Sequence, residues 1–151
     1  MQLSTTILDF LLVAASTVSG AAIESDAAIE LDSRGLGINC RGSTLCSGAG
    51  SLKDIADNVA KISQDRWYNA GELIACVQDL AGSGKCAFLQ GNTGGLPGSD
   101  ILPLIHYLQQ HGCGGCGSVP IYFGQGDNNP DTHGILTVNY KRNTQGCNGA
   151  C

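Results

Sequence analysis

Eight cysteines carry most of the chemistry open to this sequence, and four of them stand in two close pairs. Cys40 and Cys46 are six residues apart, and Cys113 and Cys116 enclose two glycines in a C-x-x-C pattern. Cysteines in such pairs can bind zinc, exchange disulfides in a redox cycle, or crosslink a small extracellular fold. Their spacing and their neighbours distinguish the three chemistries.

The spacing favours structural disulfides. A zinc site needs a second pair of ligands, and the separation of Cys40 from Cys46 does not match the common zinc motifs. A redox C-x-x-C usually begins a helix, where the dipole lowers the thiol pKa, whereas Cys113 follows the end of a predicted helix. We therefore expect Cys113 and Cys116 each to bridge to the N-terminal pair. An even cysteine count is typical of a secreted disulfide framework, and the remaining four are Cys76, Cys86, Cys147 and Cys151.

The other reactive side chains form no recognisable catalytic motif. His106 and His111 fall on different sides of a predicted helix, and His133 lies in a loop beside Asp131. The sequence contains no G-x-S-x-G, no H-E-x-x-H and no paired-carboxylate pattern. The stretch 127–134 carries alternating side-chain oxygens but lacks the glycine and the glutamate of a calcium loop, so it is predicted to be a solvated hairpin loop. We expect no enzyme activity, no metal ion and no cofactor.

The chain divides into three parts. Residues 1–21 have the apolar run and the small residues of a secretory signal peptide, and residues 22–35 are predicted to be an acidic disordered arm or a removed pro-segment. Residues 36–151 form one domain with seven basic and eight acidic residues. Because this domain is nearly neutral and lacks a long apolar segment, we expect no nucleic-acid partner and no membrane insertion. We expect a secreted, extracellular monomer.

Hydrophobic spacing predicts two helices and five short strands. The first helix begins after Ser51, with Asp54 completing a capping box, and the second is capped by Ser99 or Asp100 and stopped by Gly112. Strands joined by short loops imply an antiparallel sheet with both helices on one face, which is an α+β fold. The predicted strands are Gly37–Arg41, Glu72–Gln78, Lys85–Gln90, Val119–Gly124 and Ile135–Lys141.

Three motifs in matching order resemble the killer-protein-four family of fungal killer toxins. They are "LGINCRGS" at Leu36–Ser43, "HGCGGCGS" at His111–Ser118 and "GILTVNY" at Gly134–Tyr140. The resemblance implies an α/β sandwich, in which two antiparallel helices cover a five-stranded antiparallel sheet stapled by disulfides. It also implies the bridges Cys40–Cys113 and Cys46–Cys116, and it leaves all three pairings of the other four cysteines open.

The resemblance also implies a function. The chain is expected to be a secreted toxin that inhibits competing fungi or perturbs plant cells by blocking calcium uptake through a channel, a membrane protein of the target cell. A cationic side chain at a channel mouth can block cation flow without covalent chemistry. The candidate residues for this contact are Lys85, Lys141 and Arg142.

Two alternative functions stay open at this point. The near-neutral charge favours a secreted effector, or a cell-wall or surface binder, that has kept the scaffold without the channel-blocking surface. A small secreted hydrolase is a third class, and it would require activity that depends on His106 or His133.

Overall fold

The computed structural model describes residues 36–48 and 50–151 of the chain. The predicted signal peptide (1–21) and the acidic arm (22–35) lie outside the described residues. No helix in the described part has both the length and the apolar character needed to cross a membrane.

A five-stranded antiparallel sheet forms the centre of the fold, as the sequence predicted. Across this sheet the strands lie in the order β5, β6, β3, β2, β7, and a separate two-stranded sheet joins β1 to β4. The strands are β1 (Trp67–Tyr68), β2 (Leu73–Gln78), β3 (Gly84–Gln90), β4 (Leu96–Pro97), β5 (Gly117–Pro120), β6 (Ile135–Lys141) and β7 (Gly149–Ala150).

Helix α1 spans Leu52–Val59 and begins with the predicted capping box. The Ser51 side chain accepts a hydrogen bond from the backbone N–H of Asp54, and the Asp54 carboxylate accepts one from the backbone N–H of Ser51 at 2.7 Å. This exchange satisfies two of the backbone donors that a helix leaves free at its start. The helix therefore begins where the sequence predicted.

Helix α2 spans Gly98–Gln110, and its predicted cap is wrong. Neither Ser99 nor Asp100 caps it, because β4 leads directly into the helix and the N-cap position falls on Pro97, which makes no side-chain cap hydrogen bond. At the other end, Gly112 adopts a φ of 90°, a left-handed conformation that glycine reaches without steric cost. This glycine stops the helix as predicted.

The first predicted strand is also wrong. Within 37–41 only Asn39 pairs with the sheet, through a single bridge to Ser118 of β5. The next residue is tied by a disulfide to Cys113, which draws the chain away from the sheet edge and into a 3₁₀ turn at Thr44–Ser47. The fifth strand is instead β7, at the opposite edge of the sheet.

The predicted strand Val119–Gly124 starts and ends earlier than expected. It is β5, which stops at Pro120, and a 3₁₀ turn at Phe123–Gln125 follows it. The predicted loop before β6 contains a short helix, α3 (Pro130–His133). Proline at the first helical position suits this turn, because its missing N–H has no partner to lose there.

Both faces of the sheet are buried, but by different material. Helices α1 and α2 cover one face, which we call the helix face, and the main hydrophobic core lies between them and the sheet. The other face, the outer face, carries a smaller cluster completed by cysteines near the C-terminal end. This cluster consists of Leu73, Cys76, Cys86 and Phe88, with Cys147 and Cys151 packed against it.

Candidate target-contact surface

Four disulfides hold the described domain together. Two link positions far apart in the chain, Cys40–Cys113 and Cys46–Cys116, with sequence separations of 73 and 70 residues. These are the pairs that the family resemblance implied. The pairing that the sequence left open is Cys76–Cys86 and Cys147–Cys151.

The disulfides leave no cysteine thiol free among the described residues. The sulfurs of Cys76, Cys147 and Cys151 lie within 4.8 Å of one another, a spacing that would suit a metal ion if they were thiolates. Because a thiolate is the form that ligates metals and attacks disulfides, the bridged sulfurs supply neither chemistry. Their contribution is to crosslink the outer face.

The segment before α1 is fixed tightly over the end of the sheet. Asn139 on β6 accepts a hydrogen bond from the backbone N–H of Ser43 at 2.9 Å through its side-chain oxygen. A Cβ atom at Gly42 would come within 2.6 Å of the Cys116 Cβ and 2.8 Å of the Cys46 sulfur. Only glycine fits at this position, so the close approach of the segment to the disulfide depends on it.

Lys85 does not form part of an exposed surface, which corrects the sequence-based prediction. It lies on β3 with its side chain toward the helix face, is 1% exposed, and donates a hydrogen bond from Nζ to the Gly50 carbonyl at 2.6 Å. Burial lowers the pKa of the Lys85 ammonium, and the charge of Asp54 partly opposes this shift. Lys85 anchors the chain before α1 and is not available for a target.

Lys141 and Arg142 differ in their surroundings although they are neighbours in sequence. Lys141 ends β6 on the outer face, and its Nζ lies 3.8 Å from the centroid of the Phe88 ring, the geometry of a cation–π contact. Its side chain is half-buried, whereas Arg142 is exposed. Of the three cations predicted to contact a target, Arg142 is therefore the most accessible.

The β2–β3 turn and the loop after β6 together form one end of the molecule, which we call the turn surface (residues 79–83 and 141–146). The backbone N–H of Thr144 donates to the Gly82 carbonyl at 3.0 Å. The Gln78 side chain donates to the Thr144 hydroxyl at 2.7 Å. These bonds join the two segments, so that Arg142 and the tip of the turn belong to the same surface.

The tip of the turn surface presents Leu80, which is fully exposed. The Asp79 carboxylate accepts hydrogen bonds from the Ser83 hydroxyl and from the backbone N–H of Ala81, and these bonds lower the pKa of Asp79. The turn is thus ordered by its own side chains while the leucine points into solvent. The turn surface therefore presents one fully exposed apolar side chain, Leu80, and one exposed guanidinium, Arg142.

A cleft of about 260 Å³ lies between α2 and the turn after β5. Its lining includes Asp100, Tyr107, Tyr122 and Gln125 but neither a histidine nor a second carboxylate. General acid–base catalysis needs a positioned proton acceptor with a partner, and nucleophilic catalysis needs a nucleophile beside a base. The lining of this cleft therefore contains neither a pair of carboxylates nor a nucleophile beside a histidine.

The loop that resembles a calcium site uses its side-chain oxygens for its own structure. Asp127 accepts from the backbone N–H of Asn129 at 2.9 Å and contacts His133 Nδ1 at the same distance, and these bonds lower the pKa of Asp127. Asn129 in turn caps α3 by accepting from the backbone N–H of Asp131 at 3.0 Å. The oxygens of Asp127 and Asn129 are thus engaged with the backbone of the loop and with the His133 ring.

Comparison with known proteins identifies the family to which this chain belongs. A family model described as Kp4 matches residues 23–142, which is more than half of the chain. The KP4 killer toxin of Ustilago maydis P4 virus is 36% identical over 107 residues, covering 70% of this chain and 80% of that toxin. The chain belongs to the Kp4 family of killer toxins.

The Kp4 match ends at Arg142, within the turn surface. The disulfide Cys147–Cys151 and strand β7 therefore lie beyond the matched residues, although they complete the sheet and its outer face.

The sequence analysis does not single out Leu80. It places this residue in the loop between two predicted strands and does not consider that the leucine there is exposed. The signal was present, since a leucine at a hairpin tip has no core to enter.

Proposed function

We propose that this Kp4 family protein is secreted and acts as a killer toxin on susceptible fungal or plant cells by reducing calcium uptake through a channel. The family relationship supports a toxin. Four disulfides in a small domain support an extracellular site of action, because such bonds persist in oxidising environments.

The proposed contact with the channel is supported by the side chains that the turn surface exposes. This surface presents the exposed guanidinium of Arg142 and the fully exposed Leu80 on two segments that hydrogen bonds join to each other. A leucine that enters an apolar pocket of the partner would orient the domain, and the guanidinium would then occupy the mouth of a cation pathway. A positive charge held there opposes cation entry by electrostatic repulsion, without covalent chemistry.

The experiment applies the folded protein to fungal hyphae and to root hairs that express a calcium reporter, alongside growth measurements. The wild-type protein at micromolar concentration should lower calcium uptake and growth. Arg142→Glu should abolish the effect on uptake, because it places a negative charge where the cation is needed. Lys61→Glu is the matched control, since it makes the same change of charge at an exposed residue that follows α1 and should leave the effect intact.

Two outcomes would contradict the proposal. Growth inhibition with unchanged calcium uptake would keep the toxin function and refute the channel mechanism. Equal loss of activity in Arg142→Glu and Lys61→Glu would show that overall charge, and not the turn surface, governs the effect. Circular dichroism of each variant confirms that the fold is retained.

A further inference from the structure

Trp67 is the single tryptophan of the chain, and the fold exposes it instead of burying it. Its side chain is 53% exposed, while the next residue, Tyr68, is 1% exposed and belongs to the main core. Successive side chains of a strand point to opposite faces, so β1 directs Tyr68 inward and Trp67 outward. Folding therefore does not require the apolar face of the indole.

The exposed indole is nevertheless fixed in position. Trp67 pairs with Pro97 across the two-stranded sheet, and its Nε1–H donates to the Gly94 carbonyl at 3.1 Å. Gly95 has a φ of 103°, and a Cβ atom there would come within 2.4 Å of the indole Nε1. The ring lies against a glycine backbone that any side chain would push away. A rigid, exposed aromatic ring loses little conformational entropy when a ligand stacks on it.

The two segments around Trp67 are tied to each other. The backbone N–H of Gly98 donates to the Arg66 carbonyl at 2.8 Å, and that of Ser99 donates to the Gln64 carbonyl at 3.0 Å. We call residues 63–71 and 91–99 the indole platform. Its exposed and half-exposed side chains include two charged ones, Asp65 and Arg66, and six amides and hydroxyls: Ser63, Gln64, Asn69, Asn92, Thr93 and Ser99.

The positive charge of the indole platform is already engaged, and the exposed carboxylate of Asp65 is of the sign that repels an anionic ligand. The Arg66 guanidinium pairs with Glu72, donates to the Cys151 carbonyl, and lies 4.5 Å from the centroid of the Tyr68 ring. A cation with these partners is poorly available to an anionic ligand. The surface next to the indole is thus rich in uncharged hydrogen-bonding groups.

We propose that the indole platform binds a neutral polysaccharide, with one pyranose ring stacked on Trp67. The C–H groups on one face of a pyranose meet the electron-rich face of an indole favourably, and amide and hydroxyl side chains match the hydroxyls at the ring edge. Each partner of a stable protein–protein interface buries roughly 800 Å², and a single indole supplies only a small part of that area. The face of an indole does match the area of one pyranose ring, which favours a sugar as the ligand. This binding is separate from the turn surface and would concentrate the toxin on a cell wall.

The test uses Trp67 as its own probe, because no other tryptophan contributes to the fluorescence. The folded protein is titrated with β-1,3-gluco-oligosaccharides and with chito-oligosaccharides, and its retention on insoluble glucan and chitin is measured. One of the two sugars should shift the Trp67 emission and protect it from quenching by acrylamide. The two arms of the titration show which polymer supplies the pyranose.

Variants make the test specific. Trp67→Ala should weaken retention on the polymer at least about tenfold, and Trp67→Phe, which keeps a smaller ring, should have an intermediate effect. Leu45→Ala is the matched control, since it removes another exposed apolar side chain outside both the indole platform and the turn surface and should leave retention unchanged. Thermal unfolding of each variant checks that the fold persists.

Three results would overturn the inference. They are wild-type retention by Trp67→Ala, absence of any emission change with both sugars, and an emission change with phosphatidylcholine vesicles but with neither sugar. None of these depends on calcium uptake. A protein that binds the wall but does not alter uptake would refute only the channel proposal, and the reverse result would refute only the indole platform.

Discussion

The two long-range disulfides should stabilise the fold less than additively, because each one shortens the loop that the other closes. Cys40–Cys113 and Cys46–Cys116 join the same two stretches of chain. When one bridge is present, the cysteines of the other are already near each other in the unfolded chain. The second bridge then removes much less conformational entropy than the first.

The sequence separations set the magnitude. Alone, a bridge that closes a 73-residue loop contributes about 4.4 kcal/mol in the chain-entropy model. With the other bridge in place, Cys40 and Cys113 are connected by about nine residues of chain, and closing that loop contributes only about 2.6 kcal/mol. Removal of either bridge should therefore cost about 2.6 kcal/mol, and removal of both about 7 kcal/mol, nearly 2 kcal/mol more than the sum.

Equilibrium unfolding in guanidinium chloride, followed by Trp67 fluorescence and far-ultraviolet circular dichroism, measures these values. Both cysteines of a bridge are replaced by alanine, and the packing lost at each site cancels in the double-mutant cycle. The Cys147–Cys151 bridge is the control, because it closes a four-residue separation, should contribute about 1.9 kcal/mol, and should be additive with either long-range bridge. A long-range cycle that is additive within about 0.5 kcal/mol would refute the reasoning.

Three further predictions concern single side chains. Lys85 should react with an amine-specific acylating reagent at least about tenfold more slowly than the exposed Lys53. Mass mapping of the labelled folded protein measures both rates, and equal rates would contradict the burial of Lys85. Glu72 has a pKa below its ordinary 4.5, because its carboxylate accepts a hydrogen bond from the backbone N–H of Asn69. Its contribution to the free energy of unfolding is therefore fully present above pH 4.5 and is lost as the pH falls through the lowered pKa. Glu72→Gln should make stability less dependent on pH below 4.5, and an unchanged slope in acid unfolding would count against this assignment. Ser51→Ala should destabilise the domain by about 1 kcal/mol through loss of the capping box, with Ser51→Thr as the conservative control in the same unfolding assay.

Local chemistry made parts of the fold predictable from sequence. The capping box at Ser51, the stop at Gly112 and the hairpin between β2 and β3 depend on residues within a few positions of one another, and all three were predicted. The edge strand β7 was not, because Gly149–Ala150 has no hydrophobic alternation of its own. Its pairing with β2 depends on contacts made after the chain has folded back.

Among the candidate contact residues too, local sequence does not determine what tertiary contacts decide. In β3 both faces are apolar, with Ala87 and Leu89 on the helix face and Cys86 and Phe88 on the outer face. Alternation therefore places Lys85 on the same face as Ala87, but it does not reveal that this face is the helix face or that the lysine is buried there. The lysine becomes identifiable as an anchor only when the Gly50 carbonyl is placed above it.

The two edges of the five-stranded sheet affect the tendency of the protein to aggregate at high concentration. On one side, the N–H and carbonyl of Ser118 are both taken by Asn39, and Pro120 has no N–H to offer. On the other, β2 is covered by β7, by the Asn148 side chain at Gln78 and by Cys151 at Ile74. Among the residues that the structure describes, neither margin presents a long row of free backbone groups, which is the template that strands of another molecule need for fibril growth. A protein protected in this way can accumulate at a cell surface without seeding its own aggregation.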